Sequence, residues 1–169
     1  MDRAASGTPA AYQLVEAQTA AQFEAARILI EEYAAHLGAQ MGVDLGFQNI
    51  SVELCNLAGM YGAPSGCLFL ASREGEWLGC CALRRLEEDV CEMKRLYLKP
   101  RARGADLGRT LALSVVNKAR QLGYHRMVLD TLDGMIAAQA LYRSLGFREI
   151  GPYYQNPVAG VCYLELLLT

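Results

Sequence analysis

The chain has no apolar stretch long enough to cross a bilayer. Its longest uninterrupted run, Cys67–Ala71, is far short of the ~20 residues a spanning helix needs, so no membrane partner is expected. It also lacks a strong excess of charge. Against 16 Lys and Arg stand 18 Asp and Glu, a net charge of −2. A nucleic-acid coat needs many phosphate-neutralising cations, so no nucleic-acid partner is expected. There is no Cys-x-x-Cys pair, and His36 and His125 fall at no metal-ligand spacing, so no metal is expected. The six cysteines therefore read as buried thiols of a reducing cytoplasm. The first residues, MDRAASGTPAAY, have no apolar core of a secretory signal. Residues 1–11 read as a flexible tail ahead of one domain over 12–169, and the expected location is cytoplasmic. Internal repeats, low-complexity tracts and linkers are absent. So are both common phosphate-loop fingerprints, G-x-x-x-x-G-K-[ST] and a G-x-G-x-x-G directly after a strand.

What is present is core material and one local charge imbalance. The apolar set AVILMFWYC makes up 53% of the 169 residues, which excludes a wholly disordered chain. Between Lys94 and Arg109 lie six basic residues (Lys94, Arg95, Lys99, Arg101, Arg103 and Arg109) and one acid, Asp106, which leaves the remainder distinctly acidic.

Patterning predicts an α/β domain in the order β-α-α-β-β-β-α-β-α-β. Tyr12–Gln18 reads as a strand. Thr19 and Gln22 form a capping box opening a helix, with Phe23, Ala26, Ile30, Tyr33, Ala34 and Leu37 on one face and Gly38 as its stop. Ser51–Met60 reads as a second helix and Cys67–Ser72 as a strand. Trp77–Leu86 and Val90–Leu98 form a hairpin about Glu87-Glu88-Asp89. Leu107, Leu111, Val115, Ala119 and Leu122 mark an amphipathic helix ended by Gly123. Arg126–Thr131, Met135–Leu145 and Val161–Leu168 complete the series as strand, helix and strand.

The segment from Leu96 to Arg109 is thus a strand, a basic glycine-containing loop and a helix start. Unpaired N–H groups and the macrodipole make a helix N-terminus attractive to phosphate, and glycine lets the backbone come close. On these residues alone an anion cradle and an ordinary solvated helix start remain equally open.

The string Arg103-Gly104-Ala105-Asp106-Leu107-Gly108 resembles the R/Q-x-x-G-x-G/A signature of the GNAT superfamily of N-acetyltransferases. Downstream, Ala140-Leu141-Tyr142-Arg143-Ser144-Leu145-Gly146-Phe147 resembles its A-x-x-L-Y-x-x-L-G-F helix. Their order, their spacing and the elements around them fit over Tyr12–Leu168. The resemblance implies a mixed central sheet with a splayed strand pair, acetyl-CoA as co-substrate, and direct attack on its thioester by a primary amine of a small molecule or peptide. Leu96, Tyr97, Leu98, Arg103, Gly104, Ala105, Asp106, Leu107, Gly108 and Arg109 would then bind acetyl-CoA. Dimers are common in the resembled family, so a homodimer is compatible with it.

Tyr142 matches the family's general acid for the leaving thiolate, a task that suits a phenol; its alternative role is a core aromatic. Glu92 is the candidate base. By period two it shares a face with Leu96 and Leu98 unless a bulge intervenes, and a salt bridge to Lys94 or Arg95 is the competing role. Glu53, Tyr61, Tyr153 and Tyr154 are candidate acceptor-binding residues, able to hold an ammonium and an apolar body. Two positions depart from the pattern. Asp106 replaces the loop's middle glycine, and either repels the pyrophosphate or caps its helix. Met135 stands where the family often has a cofactor-contacting Asn. Both motivate an alternative, a non-catalytic acyl-CoA-binding module.

Overall fold

The computed structural model describes residues 11–168. Apart from Ala11, the expected tail lies outside the described residues. Strand β1 spans Gln13–Glu16, and Thr19 then opens α1, Ala20–Met41, with the predicted capping box formed in full. The helix runs past Gly38. It stops where Gly42 adopts a left-handed φ of 64° and its N–H closes on the carbonyls of Gly38 and Leu37. The second predicted helix is two short ones, α2 (Ile50–Cys55) and α3 (Leu57–Tyr61), broken at Asn56.

Strands β2 (Cys67–Arg73), β3 (Glu76–Arg85) and β4 (Val90–Leu98) are followed by α4 (Leu107–Gln121), β5 (Arg126–Leu132) and α5 (Ile136–Ser144). A three-residue strand that sequence patterning missed, β6 (Arg148–Ile150), precedes β7 (Val161–Leu167). The seven strands form one sheet in the order β1-β2-β3-β4-β5-β7-β6. Every neighbouring pair is antiparallel except β4 and β5, so the sheet is mixed.

That one parallel pairing is short. It joins Val90 to Arg126, Cys91 to Met127 and Glu92 to Val128, and there it ends. Beyond Glu92, β4 stays with β3 as far as Leu98 opposite Gly79, while β5 stays with β7 as far as Leu132 opposite Val161. The two strands part into a wedge, the splayed pair that the resemblance implied.

A bulge accompanies the parting. Lys94 pairs with Ala82 and Tyr97 with Cys80, so Arg95 and Leu96 together face the single residue Cys81. Arg95 takes a left-handed φ of 59°, rare for a residue with a side chain. The extra residue flips the alternation. Cys91 and Met93 pack under α4, and beyond the bulge so do Leu96 and Leu98, whereas Tyr97 joins the α1 side. Glu92 therefore does not share a face with Leu96 and Leu98; the expectation of strict alternation is overturned by this one inserted residue.

Two apolar cores flank the sheet. Leu111, Val115 and Ala119 of α4 meet Met127, Leu129 and Leu164 on one side; Ala26, Leu29 and Ile30 of α1 meet Leu68, Leu70 and Tyr61 on the other. Set into the second is an ion pair. Arg95 holds Glu53 with two hydrogen bonds, Nε to Oε1 at 2.8 Å and Nη2 to Oε2 at 2.7 Å, and the Tyr61 hydroxyl donates to Oε1 at 2.8 Å. All three side chains are buried. Burial alone would raise the Glu53 carboxyl, but the bonds and charge of Arg95 outweigh it and hold the group below the ordinary carboxylate range. Of the six cysteines, four (Cys67, Cys80, Cys81 and Cys91) are buried thiols as expected; Cys55, however, is exposed and Cys162 partly so.

Removing one partner of a buried pair strands the other charge, at a cost of about 3–5 kcal/mol. Glu53→Ala is therefore expected to lower unfolding stability by that amount in urea titrations at pH 7. Because the folded-state carboxyl is depressed, its contribution is present above the ordinary carboxylate range and is lost as pH falls through the folded value. The gap between parent and variant should narrow in acid; a gap that is absent at pH 7, or constant with pH, contradicts this account.

Candidate active site

What the loop leading into α4 offers to an anion is mainly backbone. Gly104 (φ 83°) and Asp106 (φ 58°) are both left-handed, and no atom lies within 4 Å of where a Gly104 side chain would start. Aspartate is among the few residues that tolerate this conformation, which explains how it stands in a glycine's place. Its side chain makes no cap hydrogen bond and is exposed, so the helix-capping alternative is not realised and its charge faces water. The first helical bond of α4 runs from the Thr110 N–H to the Asp106 carbonyl. The N–H groups of Leu107, Gly108 and Arg109 are thereby left without helical acceptors.

The six basic residues do not form one positive mouth. Lys94 and Arg95 are buried in the sheet; Lys99 pairs with Glu32 at 3.2 Å, and Arg101 pairs with Glu76. Arg103 and Arg109 remain beside the loop with no carboxylate within 4 Å among the described residues. Arg103 Nε donates to the Leu98 carbonyl at 3.2 Å, and Arg109 donates to Ser144 Oγ at 2.7 Å.

Where β4 and β5 part, a narrow space of about 50 Å³ opens between them, lined by Lys94, Arg95, Leu96, Asp130, Met135 and Tyr142, among others. Tyr142 comes from α5, whose last turn packs its ring edge-on against Phe147 at 5.7 Å. Among the described residues its hydroxyl has no hydrogen-bond partner. Burial pushes that hydroxyl well above an ordinary phenol. Met135 is the residue before α5, and its sulfur accepts from Thr131 Oγ1 at 3.7 Å.

A wider cavity of about 410 Å³ adjoins this space, and Phe47, Gln48 and Lys94 line both. Glu92 lies on its wall. Its partner is neither Lys94 nor Arg95: Arg84 Nε donates to Oε2 at 2.6 Å and the Tyr153 hydroxyl to Oε1 at 2.7 Å. Burial, with the charges of Glu92 and Asp130, pushes the Tyr153 hydroxyl far up. Tyr154 packs on Tyr153 at 5.3 Å, and Tyr163 stands edge-on to both. Of the four candidate acceptor-binding residues, the fold brings Tyr153 and Tyr154 to this cavity. Glu53 and Tyr61 line neither space, and both oxygens of Glu53 are taken up by Arg95 and Tyr61.

The polar cavity residues that sequence reasoning did not assign to the site include Arg84, Lys94 and Asp130, while Gln48 lies in the Phe47–Tyr61 region that the resemblance implies as part of the acceptor pocket. Lys94 is buried, and burial lowers its ammonium below the usual lysine range, with the Glu92 charge opposing that effect. Asp130 interrupts the otherwise apolar start of β5, Met-Val-Leu, and that interruption was the one available signal.

Residues 46–147 match the model of the family described as acetyltransferase (GNAT) family. An uncharacterised N-acetyltransferase of Schizosaccharomyces pombe is 42% identical over 142 residues, covering 83% of this chain and 85% of that protein. A GNAT-family acetyltransferase structure from Staphylococcus aureus superposes with a TM-score of 0.77 at 22% identity, over 94% of this chain and 100% of that one. An acetyltransferase of Salmonella typhimurium solved with acetyl-CoA superposes with a TM-score of 0.67 at 20% identity, over 94% of each chain.

Calorimetry with coenzyme A tests the loop. Arg109→Ala should weaken binding roughly two- to fivefold at low salt, and Asp106→Gly should tighten it by a similar factor, both effects shrinking in 0.5 M salt. Weaker binding by Asp106→Gly would contradict the reading of that carboxylate.

Proposed function

The chain belongs to the GNAT acetyltransferase family and is an acyltransferase, and on that premise we propose that it moves an acetyl group from acetyl-CoA to a primary amine by direct attack. The observation that carries this reading is the β4–β5 wedge with the protonated Tyr142 hydroxyl facing it. The residues present fit acetyl-CoA. The wedge leaves the β4 backbone from Met93 to Tyr97 without a strand partner on its β5 side, a row of groups suited to the amides of an extended arm. The free N–H groups of Leu107, Gly108 and Arg109, with the open surface at Gly104 and Ala105 and the side chains of Arg103 and Arg109, suit its phosphates.

When bound, acetyl-CoA supplies an electrophilic thioester carbonyl. We assign the β4 backbone beside Leu96, Tyr97 and Leu98 to hold and polarise it, an interaction worth ~10²–10³ in rate where a donor of this kind has been removed. Tyr142 keeps its proton because it is buried, and gives it to the departing thiolate as the N–C bond forms and the C–S bond breaks. The amine must lose a proton in exchange. Both oxygens of Glu92 are engaged, so we place it behind Tyr153. The Tyr153 hydroxyl takes the amine's proton while passing its own to Glu92. The six free thiols are consistent with a reducing compartment, and we propose a cytoplasmic enzyme. A non-catalytic acyl-CoA-binding module is not favoured, because the wedge and a proton-bearing phenol are both present.

Tyr142→Phe should leave acetyl-CoA affinity within about twofold in calorimetry and lower kcat, read by free-thiol release, by about 10²-fold or more. Unchanged transfer would remove the acid assignment. Because burial raises the Tyr142 hydroxyl, the parent should show no alkaline loss of kcat from this group up to pH 10. For Glu92→Gln, a pH–rate profile matching the parent would reject the base role.

A further inference from the structure

Apart from the exposed Glu87 at the rim, the charges around the two cavities are paired with two exceptions among the described residues. Arg84 is held by Glu92 at 2.6 Å, Arg126 by Glu165 at 3.3 Å, and Arg95 by Glu53 at 2.7 Å. Lys94 is only 7% exposed, yet among the described residues no carboxylate lies within 4 Å of its Nζ, which donates to the neutral amide oxygen of Gln48 at 3.3 Å. Asp130 likewise has no cation within 4 Å. Its Oδ2 accepts from the Tyr154 hydroxyl at 2.9 Å and from Asn156 Nδ2 at 3.5 Å.

These two charges are the ends of one neutral chain. Lys94 donates to Gln48, Gln48 Nε2 donates to the Tyr154 hydroxyl at 3.0 Å, and that hydroxyl donates to Asp130. The chain fixes where each charge sits without neutralising either. A desolvated ammonium with a neutral partner is costly, and nearby Glu92 is already committed to Arg84. The positions are ordered as well. Asp130 and Tyr142 line the narrow space alone, Lys94 lines the junction, and Phe47, Leu86, Val128 and Tyr153 line the wide cavity or its mouth.

We propose that the acceptor is a free amino acid, bound with its ammonium on Asp130, its carboxylate on Lys94 and its side chain in the wide cavity. This rests on the acetyltransferase reading and narrows it. A zwitterion supplies one opposite charge to each end of the Lys94–Asp130 chain and places the amine beside Tyr142; its ammonium gives one proton to the Asp130 carboxylate to become the attacking amine, and the second leaves through Tyr153, whose ring packs on that of Tyr154 beside Asp130. A polyamine would leave Lys94 facing another cation. A residue within a peptide has no free carboxylate next to its amine, and so would leave Lys94 unpaired.

The test is a free-thiol release assay with acetyl-CoA and the full chain. The acceptors are the twenty standard L-amino acids, their carboxamides, the corresponding decarboxylated amines, β-alanine and spermidine. For the best acceptor, the free acid should exceed its carboxamide at least tenfold in kcat/KM. In Lys94→Met that ratio should fall towards one, chiefly through KM, and Lys94→Arg should recover part of it. Asp130→Asn should raise KM for acid and carboxamide alike. Coenzyme A calorimetry on each variant establishes that the site is folded; if Lys94→Met fails to bind coenzyme A, Lys94→Gln, which removes the charge but keeps a polar partner for Gln48, serves in its place. Carboxamides, decarboxylated amines or spermidine turned over as well as any free acid would overturn this inference and leave the acetyltransferase reading intact. So would a tenfold preference that persists in Lys94→Met. Coenzyme A binding with no turnover of any of these acceptors would overturn this inference, and the same outcome extended to a panel of peptide amines would remove the acetyltransferase reading as well.

Discussion

The bulge at Arg95 is the constraint on which the rest of this structure depends. A left-handed backbone at a residue with a long side chain costs about 1–2 kcal/mol unless its surroundings hold it there. Here the surroundings do. The guanidinium is clamped by both oxygens of Glu53, and Tyr61 completes the Glu53 shell. The Cys80 thiol meets the Arg95 carbonyl at 3.3 Å. Three elements far apart in sequence thus secure one irregular residue. Arg95 borders the narrow space while Glu53 and Tyr61 lie outside both cavities, so the pair anchors β4 from behind at the point where it has parted from β5.

Charge is arranged more sparingly than composition suggests. The basic run looks like an electrostatic funnel, but most of it is used within the fold: two residues are buried, and two are tied to Glu32 and Glu76. The anion site we propose rests instead on backbone N–H groups at the start of α4, helped by Arg103 and Arg109. This also bears on Asp106. One exposed carboxylate opposes fixed dipoles whose direction is set by the helix, and water screens it.

Much of the fold was legible because its signals are local. The capping box at Thr19 and Gln22 and both ends of β4 follow from adjacent residues, and so did the amphipathic stripe of α4. The misses have physical reasons. Gly38 sits in α1 because a glycine permits a stop without requiring one, and the chain turns left-handed only at Gly42. β6 is three residues, Arg-Glu-Ile, largely exposed and paired on one side, so it carries no alternation. The bulge adds one residue that no periodicity count can detect, and it moved Glu92 to the opposite face. Glu53 attracted attention as a free carboxylate because its partner lies 42 positions away. Lys94 escaped for the reverse reason: within a run of basic residues, one buried lysine looks like the others.

The parting of β4 and β5 also has a mechanical meaning. A sheet resists bending because each strand is stitched to its neighbours along its whole length, yet here two half-sheets share a seam only three residue pairs long. A line of pairing as short as that of the edge strand β6 therefore runs through the middle of the sheet, where the wedge opens. A molecule lying in the gap would bridge the halves as a shim does, so the same contacts that hold a ligand would also stiffen the protein that holds it.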